Sequence, residues 1–598
     1  PTWQITNWLS LRAQVSTDIT DVKQTLKYES EQPNSLYDPN GSFQSINRRY
    51  DIVYGDVMLN FNYNINRFDI AATVGWTGRY ENMNNIRVST NGGLVTENWF
   101  DLNASRYTPS STLQRMELLK TGYMGTLSLG WDNYLFLELT GRQERSSTLK
   151  DQSFFYPSAN LSFLFTQAFH MPSWWNYGKL RLSYGIVGNA PETYTANIVY
   201  EQGSDNGFTW NTIPSSWGNA DIRPEKKYEY EIGLESKFLN NRLGIDVSYY
   251  NNRVKDQILS TPQPSTSGVK NVLMNVGEVA NHGWDISISA TPILTRDFRW
   301  DLTANYGVYK NKVVKLADGV PYLEILNSGG SGIKIQAVEG QPMGDIYAQV
   351  PQVNENGEYL VSDKGLYLNQ TELQKVGNIN PAGVGGLFNS FSYKNVFLDF
   401  SIDFRIGGDV INEMNQYATA VGLTPESLEY RDTEHGGLSY YYPGDNNSSG
   451  IPVQVDPSTG VGPNGEIIYH DGIILPGVVA STGERNTRII PAGYYYNTTY
   501  NWGTEAEQLT YRHSVFDNSY VKLRELTIGY QFPEKMISKL GLGRLSVSVF
   551  GRNLFYFYKA LKNYDAESSV GTSWANQATV GSSTTATRSF GVSLRASF

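Results

Sequence analysis

The most regular feature of this chain is a two-residue alternation of apolar and polar side chains. Within 396–406, Leu398 and Phe400 share one face, while Asp399 and Ser401 share the other. Successive side chains of a β-strand point to opposite faces of the sheet, so this period predicts strands. The pattern recurs in about sixteen segments and predicts an all-β, antiparallel fold. The segments are 7–15, 53–63, 68–78, 121–131, 134–145, 155–166, 178–188, 226–239, 242–255, 279–291, 298–314, 385–394, 396–407, 519–532, 544–554 and 588–598.

The lengths and faces of these segments favour a transmembrane β-barrel. Many run for about 9–11 residues or more, which is the length that a tilted strand needs to cross hydrocarbon. Their polar faces carry mostly Ser, Thr, Gly, Asn and Asp. Trp131, Tyr134, Trp284 and Trp300 stand near segment ends, where interfacial aromatic girdles lie. A soluble two-sheet sandwich remains as an alternative, because its strands alternate in the same way.

The connections between the segments fall into two length classes. The short ones are rich in Asn and Asp, which tolerate the left-handed backbone of a tight turn. They are Asp132-Asn133, Asn240-Asn241 and Lys394-Asn395. The long ones cover about 190–222, 316–384 and 408–518. Short turns at one end and long loops at the other are typical of outer-membrane barrels.

One segment breaks the alternation. In 519–532 the apolar positions change parity between Leu523 and Leu526. A β-bulge would produce such a change, and so would a strand at the rim of a barrel. The sequence leaves both explanations open.

The composition removes several classes of protein. The chain has 598 residues with 48 Lys+Arg against 58 Asp+Glu, a net charge of −10, and this acidic balance opposes a general nucleic-acid binder. The absence of cysteine excludes disulfide frameworks and zinc–thiolate sites. The 13% of aromatic residues opposes disorder. A helical membrane protein is excluded because no apolar run reaches about 18 residues.

Residues for catalysis or metal binding are sparse. The five histidines, His170, His282, His435, His470 and His513, show no metal-ligand spacing. A Ser–His–Asp triad built on His435 lacks a nucleophile-elbow sequence. We therefore expect no catalytic residue, no metal site and no cofactor.

Aromatic residues in the long connections are the better candidates for binding. They stand among Asn, Asp and Gln, and flat rings beside amide and carboxylate groups suit stacking on sugars or gripping peptides. The candidate substrate or lid contacts are Trp210, Trp217, Tyr440, Tyr441, Tyr494, Tyr495 and Trp502. The alternative for each of them is packing of one loop against another.

The closing region resembles a known family. The run 516–530 (FDNSYVKLRELTIGY), then Phe532-Pro533, GRNLF at 551–555 and Tyr564-Asp565, closely resembles the end of SusC-type transporters. These are the TonB-dependent outer-membrane importers of Bacteroidota. The resemblance implies a 22-stranded barrel with a plug inside, of which about sixteen strands are visible. Residues 1–598 are then expected to be its C-terminal part, with extracellular long loops and with the plug and leading strands absent from this chain.

The resemblance also implies an activity and partners. The activity is active, TonB-dependent import of oligosaccharides or peptides across the outer membrane, without covalent chemistry. The partners are a SusD-like surface lipoprotein acting as a lid, TonB contacted through the plug, the cargo and outer-membrane lipid, but no nucleic acid. Dimers of SusC–SusD pairs are expected. Phe598, a terminal aromatic, is expected to act as a membrane-insertion signal.

Three other functions stay open for such a barrel. A passive porin of about sixteen strands would be closed as it stands. An outer-membrane barrel enzyme would depend on His435 or His513. An adhesive or structural barrel would bind partners without transport.

Overall fold

The computed structural model describes residues 1–598 except 31–37, 151, 206–207, 265, 267, 329–331, 445–449, 502–509, 569–572, 582–585 and 598. The chain divides into two compact units. The first comprises Pro1–Glu235 with Tyr249–Ala280, and the second comprises Ser236–Ser248 with Asn281–Phe598.

The first unit is built on a run of antiparallel strands in which each pairs with the next. Strands β1 to β8 form this run, and β12 pairs with β8. The final residues of β12 and the first residues of β13 belong to the second unit. The strands are β1 (Thr2–Thr6), β2 (Leu9–Tyr28), β3 (Ser42–Ile65), β4 (Phe68–Leu94), β5 (Ser105–Trp131), β6 (Leu135–Ser146), β7 (Ser153–Phe163), β8 (Trp175–Asn189), β9 (Glu201–Asp205), β10 (Phe208–Thr212), β11 (Ser216–Trp217), β12 (Glu225–Phe238), β13 (Leu243–Lys255), β14 (Ile258–Pro262) and β15 (Asn271–Asn275).

The tight turns take the predicted backbone. Asp132 and Asn133 have φ of 52° and 59°, and Asn240 and Asn241 have φ of 58° and 63°. At Asp132-Asn133, two left-handed residues in succession match the twist of a hairpin and confirm the prediction. In the second turn Leu239 is left-handed as well, with a φ of 54°, and in the third Lys394 is left-handed, at 53°, whereas Asn395 is not. These turns mark what we call the short-turn end of the strands.

Aromatic rings form a band at the short-turn end of the first unit. The ring centroids of Phe68 and Trp131 lie 6.4 Å apart, those of Trp131 and Tyr134 5.4 Å, and those of Tyr134 and Phe163 6.1 Å. Amphipathic rings are stable at the headgroup level of a bilayer. These ring contacts are those expected of the girdle predicted at Trp131 and Tyr134, and its place at the membrane interface stays a prediction.

The strands of the first unit are much longer than a membrane requires. Strand β3 has 24 residues and β4 has 27, whereas about 9–11 suffice to cross hydrocarbon. On one face of β3, Val57 and Leu59 are exposed and apolar, but further up the same face Asp51 and Arg49 form an ion pair of 3.0 Å. We call the exposed apolar residues of this face, such as Val57 and Leu59, the apolar band. The sheet therefore continues beyond the apolar band. We call this continuation the upper wall; it consists of residues 20–28, 42–52, 81–94 and 105–118.

The second unit also contains a run of antiparallel strands, in the order β17, β23, β24, β32, β33 and β34. Strand β16 begins in the last residues of the first unit. The strands are β16 (Glu278–Leu294), β17 (Phe298–Lys315), β18 (Tyr322–Ser328), β19 (Ile333–Val338), β20 (Asp345–Ala348), β21 (Leu360–Val361), β22 (Gln374–Asn378), β23 (Gly383–Tyr393), β24 (Val396–Ile406), β25 (Asp409–Ile411), β26 (Leu438–Tyr441), β27 (Val453–Gln454), β28 (Tyr469–Ile473), β29 (Val478–Val479), β30 (Ile490–Pro491), β31 (Val515–Asp517), β32 (Tyr520–Gln531), β33 (Arg544–Lys559) and β34 (Ser589–Ser597).

Helices are few and short. They are α1 (Phe165–Ala168), α2 (Glu413–Ala420), α3 (Ala492–Tyr500) and α4 (Glu534–Ile537), with single 3₁₀ turns at Leu102–Ala104, Pro425–Leu428, Tyr511–Ser514, Ser538–Leu540 and Asn576–Ala578. Among the described residues no helix has the length and apolar content needed to cross a membrane.

The change of parity in 519–532 is a β-bulge. Ser401 of β24 pairs with Glu525 of β32, and the next residue, Ile402, pairs with Leu523. Arg524 is therefore the extra residue, and a bulge reverses the facing of side chains beyond it. Of the two explanations left open by the sequence, the bulge is the one observed.

The long connections of the second unit are themselves folded. Strands β18, β19, β20 and β22 form a small sheet within 316–384. Its Ile333 and Ile346 are buried together with Ile411 and Val515, which lie in 408–518. Ala578, from the connection between β33 and β34, joins the same core. Three connections are therefore held together by one apolar core rather than lying apart as loops.

Candidate functional site

The described tryptophan candidates lie in the connection between β8 and β12. Trp210 stands on β10 of a hairpin and is 46% exposed. Trp217 is half-buried on β11, and its ring meets Tyr200 edge to face with centroids 6.0 Å apart. Trp210 therefore offers an open ring, whereas Trp217 takes part in loop packing. Trp502 and Phe598 lie outside the described residues.

The two tyrosine candidates of β26 differ in exposure. Tyr440 is 1% exposed, its ring stacks on Tyr469 at 5.5 Å, and its hydroxyl donates to Asp471 at 3.1 Å. Burial raises the pKa of Tyr440, and the nearby Asp471 carboxylate raises it further. Tyr441 points the other way and is half-buried. Tyr440 thus packs inside the folded connection, and Tyr441 lies nearer its surface.

Helix α3 places Tyr495 in a cluster of tyrosines. Tyr496 and Tyr500 are four positions apart, so they lie on the same side of the helix, with ring centroids 5.6 Å apart. Tyr495 contacts both rings, at 5.2 Å and 6.1 Å. The helix follows Pro491, whose fixed φ of −62° suits a helix start.

These rings line a recess of about 410 Å³, which we call the tyrosine recess. It is defined by Tyr367, Tyr430, Tyr495, Tyr496 and Tyr500, with the exposed carboxylate of Glu429 at its edge. Burial raises the pKa of Tyr367 to about 12, so its hydroxyl is neutral at physiological pH. Aromatic faces, neutral hydroxyls and one carboxylate can bind a sugar ring or a peptide.

Tyr494 belongs to a second recess of about 320 Å³. Lys364 and Arg488 line this recess together with Tyr442. Arg488 has the flat, permanently charged guanidinium that suits carboxylate or phosphate groups. Two cations beside two aromatic rings make this recess suited to anionic ligands, which the tyrosine recess with its carboxylate is not.

The histidines of the long connections make local contacts, and His435 Nδ1 lies 2.8 Å from Asp432 Oδ1. The ring of His513 stacks on Tyr500 at 4.4 Å, and burial, aided by Arg512, lowers the pKa of His513 to about 4. Ser439 Oγ lies 2.8 Å from His470 Nδ1, but the serine is buried, so substrate cannot reach its oxygen. The described residues contain no group of three or more His, Asp or Glu side chains that could hold a metal ion.

The face of the first unit opposite the apolar band is polar. Arg12 pairs with the buried Asp56 at 3.2 Å, and Arg142 pairs with Glu144 at 2.7 Å. Near the short-turn end this face forms a recess of about 690 Å³. Its polar lining residues are Asn62, Asn64, Asp69, Ser128, Glu138, Asn160 and Ser162. A face of this kind is suited to contact with water rather than lipid.

One ion-pair cluster anchors the connection between β33 and β34. Lys522 Nζ lies 2.5 Å from Glu567 Oε2, and Arg524 Nη2 lies 2.6 Å from Glu567 Oε1. Burial raises the pKa of Glu567, but the hydrogen bonds from Arg524 and Lys522 outweigh it and hold the pKa at about 2. The sequence did not identify this cluster, because partners more than forty positions apart carry no local signal.

Comparison with known proteins agrees with this architecture. The TonB-dependent receptor P3 of Formosa agariphila is 24% identical over 494 residues, covering 75% of this chain and 42% of that protein. The TonB-dependent receptor SusC of Bacteroides thetaiotaomicron is 30% identical over 247 residues, covering 38% of this chain and 24% of that protein. The structure of the RagAB peptide transporter shares the fold, with a TM-score of 0.67 and 19% identity over 93% of this chain and 57% of that chain.

The chain spans less than half the length of the curated relatives it matches. A family described as TonB dependent receptor-like, beta-barrel, matches residues 2–346, which is more than half of the chain. The soluble sandwich considered from the sequence is thereby excluded. This chain belongs to the TonB-dependent receptor-like β-barrel family of the Gram-negative outer membrane.

Proposed function

We propose that this chain is the C-terminal barrel portion of an active importer that takes up oligosaccharides or peptides. Uptake would be driven through TonB, and a SusD-like surface lipoprotein would close over the folded outer connections. The tyrosine recess carries this proposal, because it offers aromatic faces and neutral hydroxyls in the connections that precede the strands β23 and β32. Family membership supports coupling to TonB over a passive porin.

The fold of the outer connections supports a role in holding cargo and lid. The recess rings of Tyr367, Tyr430 and Tyr495 pack against a buried apolar core, which gives the recess rigid walls. That core consists of Leu366, Ile473, Leu475 and Ile490. A rigid site loses less conformational entropy when it binds a flexible chain. The cationic recess around Arg488 would add preference for cargo that carries a carboxylate, such as a peptide terminus or an acidic sugar.

The first experiment tests the tyrosine recess in the full-length protein, expressed in its own host. We expect Tyr430→Ala combined with Glu429→Gln to lower uptake of the cargo by at least about fivefold, the effect of losing one useful contact. Cargo is first identified by mass spectrometry of compounds that elute with the purified protein. Tyr322→Ala is the matched control, because Tyr322 is exposed on β18 and outside the recess.

The second experiment tests coupling. Removal of TonB should abolish accumulation of cargo while binding at the cell surface persists. Accumulation that continues without TonB overturns active import. Equal uptake by the recess variant and the Tyr322→Ala control, at equal membrane levels, shows that the cargo binds elsewhere.

A further inference from the structure

A small recess lies on the lipid-facing side of the first unit, at the end of the strands away from the short turns. Its volume is about 210 Å³. We call it the interface recess; its lining residues are Tyr184, Tyr228, Tyr230, Asn251, Arg253 and Lys255.

The facing of these residues follows from strand parity. Tyr230 shares its face of β12 with Ile232 and Leu234, which are exposed apolar residues. On β13, Asn252 donates to Glu229 at 3.0 Å, which places Asn252 and Glu229 on the opposite, polar face. Arg253 therefore points to the same side as the apolar band. Cargo that passes along the polar face does not meet this recess.

Strand length gives the depth of the recess in the membrane. Counted from the short-turn end, Tyr230 is the ninth residue of β12, and Arg253 is the eleventh residue of β13. About 9–11 residues of a tilted strand cross the hydrocarbon. Tyr230 thus reaches the upper edge of the apolar layer, and Arg253 and Lys255 lie just above it, at the level of the outer headgroups.

The charges are held in place by a neighbouring carboxylate. Arg253 Nη1 lies 3.0 Å from Glu278 Oε1, and Lys255 Nζ lies 3.9 Å from Glu278 Oε2. Lys255 Nζ also lies 5.9 Å from the centroid of the Tyr228 ring. One carboxylate between two cations leaves one positive charge in excess. Exposed ion pairs are weak, so Glu278 orients the two cations without saturating them.

We propose that the interface recess binds a phosphate group on the sugar headgroup of an anionic glycolipid in the outer leaflet. The guanidinium of Arg253 and the ammonium of Lys255 would contact the phosphate. The tyrosine rings would pack against the sugar, and acyl chains would lie on the apolar residues below. This site is independent of cargo and of TonB.

The test measures binding of bis-phosphorylated lipid A by native mass spectrometry of the full-length protein in detergent. Dephosphorylated lipid A and inorganic phosphate are parallel probes. We expect Arg253→Gln combined with Lys255→Gln to weaken binding of the phosphorylated lipid by roughly thirtyfold, at about fivefold for each basic side chain near a membrane surface. Glu278→Gln should tighten it, because the two cations lose their competitor. The dephosphorylated lipid should bind all variants equally weakly.

Arg67→Gln is the matched control, since Arg67 is an exposed, ion-paired arginine at the short-turn end. Folding of each variant is checked by heat-modifiable migration on SDS gels. If the double variant does not fold, Glu278→Gln decides alone. The proposal is overturned if Glu278→Gln fails to tighten binding of the phosphorylated lipid, or if Arg67→Gln weakens that binding as much as the double variant does. It is also overturned if inorganic phosphate displaces the lipid at equal concentration, because the recess would then be a site for free anions.

Discussion

Replacing Glu567 by glutamine is expected to loosen the connection between β33 and β34. Lys522 is only 2% exposed, and Glu567 supplies its carboxylate partner at 2.5 Å. Arg524 donates to both oxygens of the same carboxylate, at 2.6 Å and 2.8 Å. Glutamine would leave the buried ammonium without a counter-charge. Breaking a fully buried ion pair in this way costs about 3–5 kcal/mol, which is an upper limit here because Glu567 is partly exposed.

The pKa of Glu567 gives a second measure of the same interaction. A fall from the ordinary value of 4.5 to about 2 corresponds to roughly 3 kcal/mol in favour of the ionised folded state. The side chain is partly exposed and therefore screened by water, so we expect about 2–3 kcal/mol. Because the folded pKa is lowered, this stabilisation is complete above pH 4.5 and is lost as the pH falls towards 2.

The assay is hydrogen exchange of the amides in 560–568. A loss of about 2–3 kcal/mol should make local opening roughly 30-fold to 160-fold more frequent in Glu567→Gln. Glu525→Gln is the control, because Glu525 pairs with the exposed Arg552 at 3.0 Å and such pairs contribute little. Equal acceleration in the two variants, or none in Glu567→Gln, would refute this account of the anchor.

Two further predictions concern the outer connections and the turns. Burial holds the pKa of His513 at about 4, below its ordinary 6.5, so protonation of His513 favours the unfolded state. We therefore expect opening of α3, measured by hydrogen exchange, to increase as the pH falls from 6.5 to 4. The variant His513→Asn should lose that pH dependence. Asn133 has a φ of 59°, where a β-branched residue is strained by about 1–2 kcal/mol. Asn133→Val should therefore slow formation of the heat-resistant barrel, whereas Asn133→Gly should not. Equal rates of barrel formation in the two variants would contradict the predicted strain.

The strands were predictable because lipid on one side and water on the other impose alternation. Each of the sixteen predicted segments overlaps an observed strand, although 155–166 runs on into α1 and 588–598 ends outside the described residues. The parity change at Leu523 correctly marked the bulge. The short strand β1 was missed, and so were the upper parts of β2 to β5. In the upper wall most side chains of both faces are exposed or half-buried, Ile46 and Leu94 being exceptions, so apolar residues have little reason to alternate there.

The candidate site was only partly predictable. Aromatic composition identified the connections that carry the tyrosine recess, and Tyr495 does lie in it. Composition could not distinguish Tyr440, which is buried in the core of its own connection, from Tyr441 beside it. Burial of that kind depends on contacts between segments far apart in the chain. The folded character of 316–384 and 408–518 was missed for the same reason.

Deleting 408–518 is therefore a poor way to probe the lid. Ile411 and Val515 fill a core shared with Ile333 and Ile346. The deletion would remove the first two residues, expose the side chains of Ile333 and Ile346 to water, and so damage the neighbouring connection. Point substitutions at exposed positions, such as Glu429, separate binding from folding.

The upper wall has a consequence for how the cell surface can vary. A sheet that rises clear of lipid is constrained by main-chain pairing and by a few side-chain contacts, such as the burial of Ile46 and Leu94, but neither of its sides must match a bilayer. Substitutions there leave the fit to the membrane unchanged. The upper wall is therefore the part of the first unit where an exposed side chain can be replaced without altering the contact with lipid.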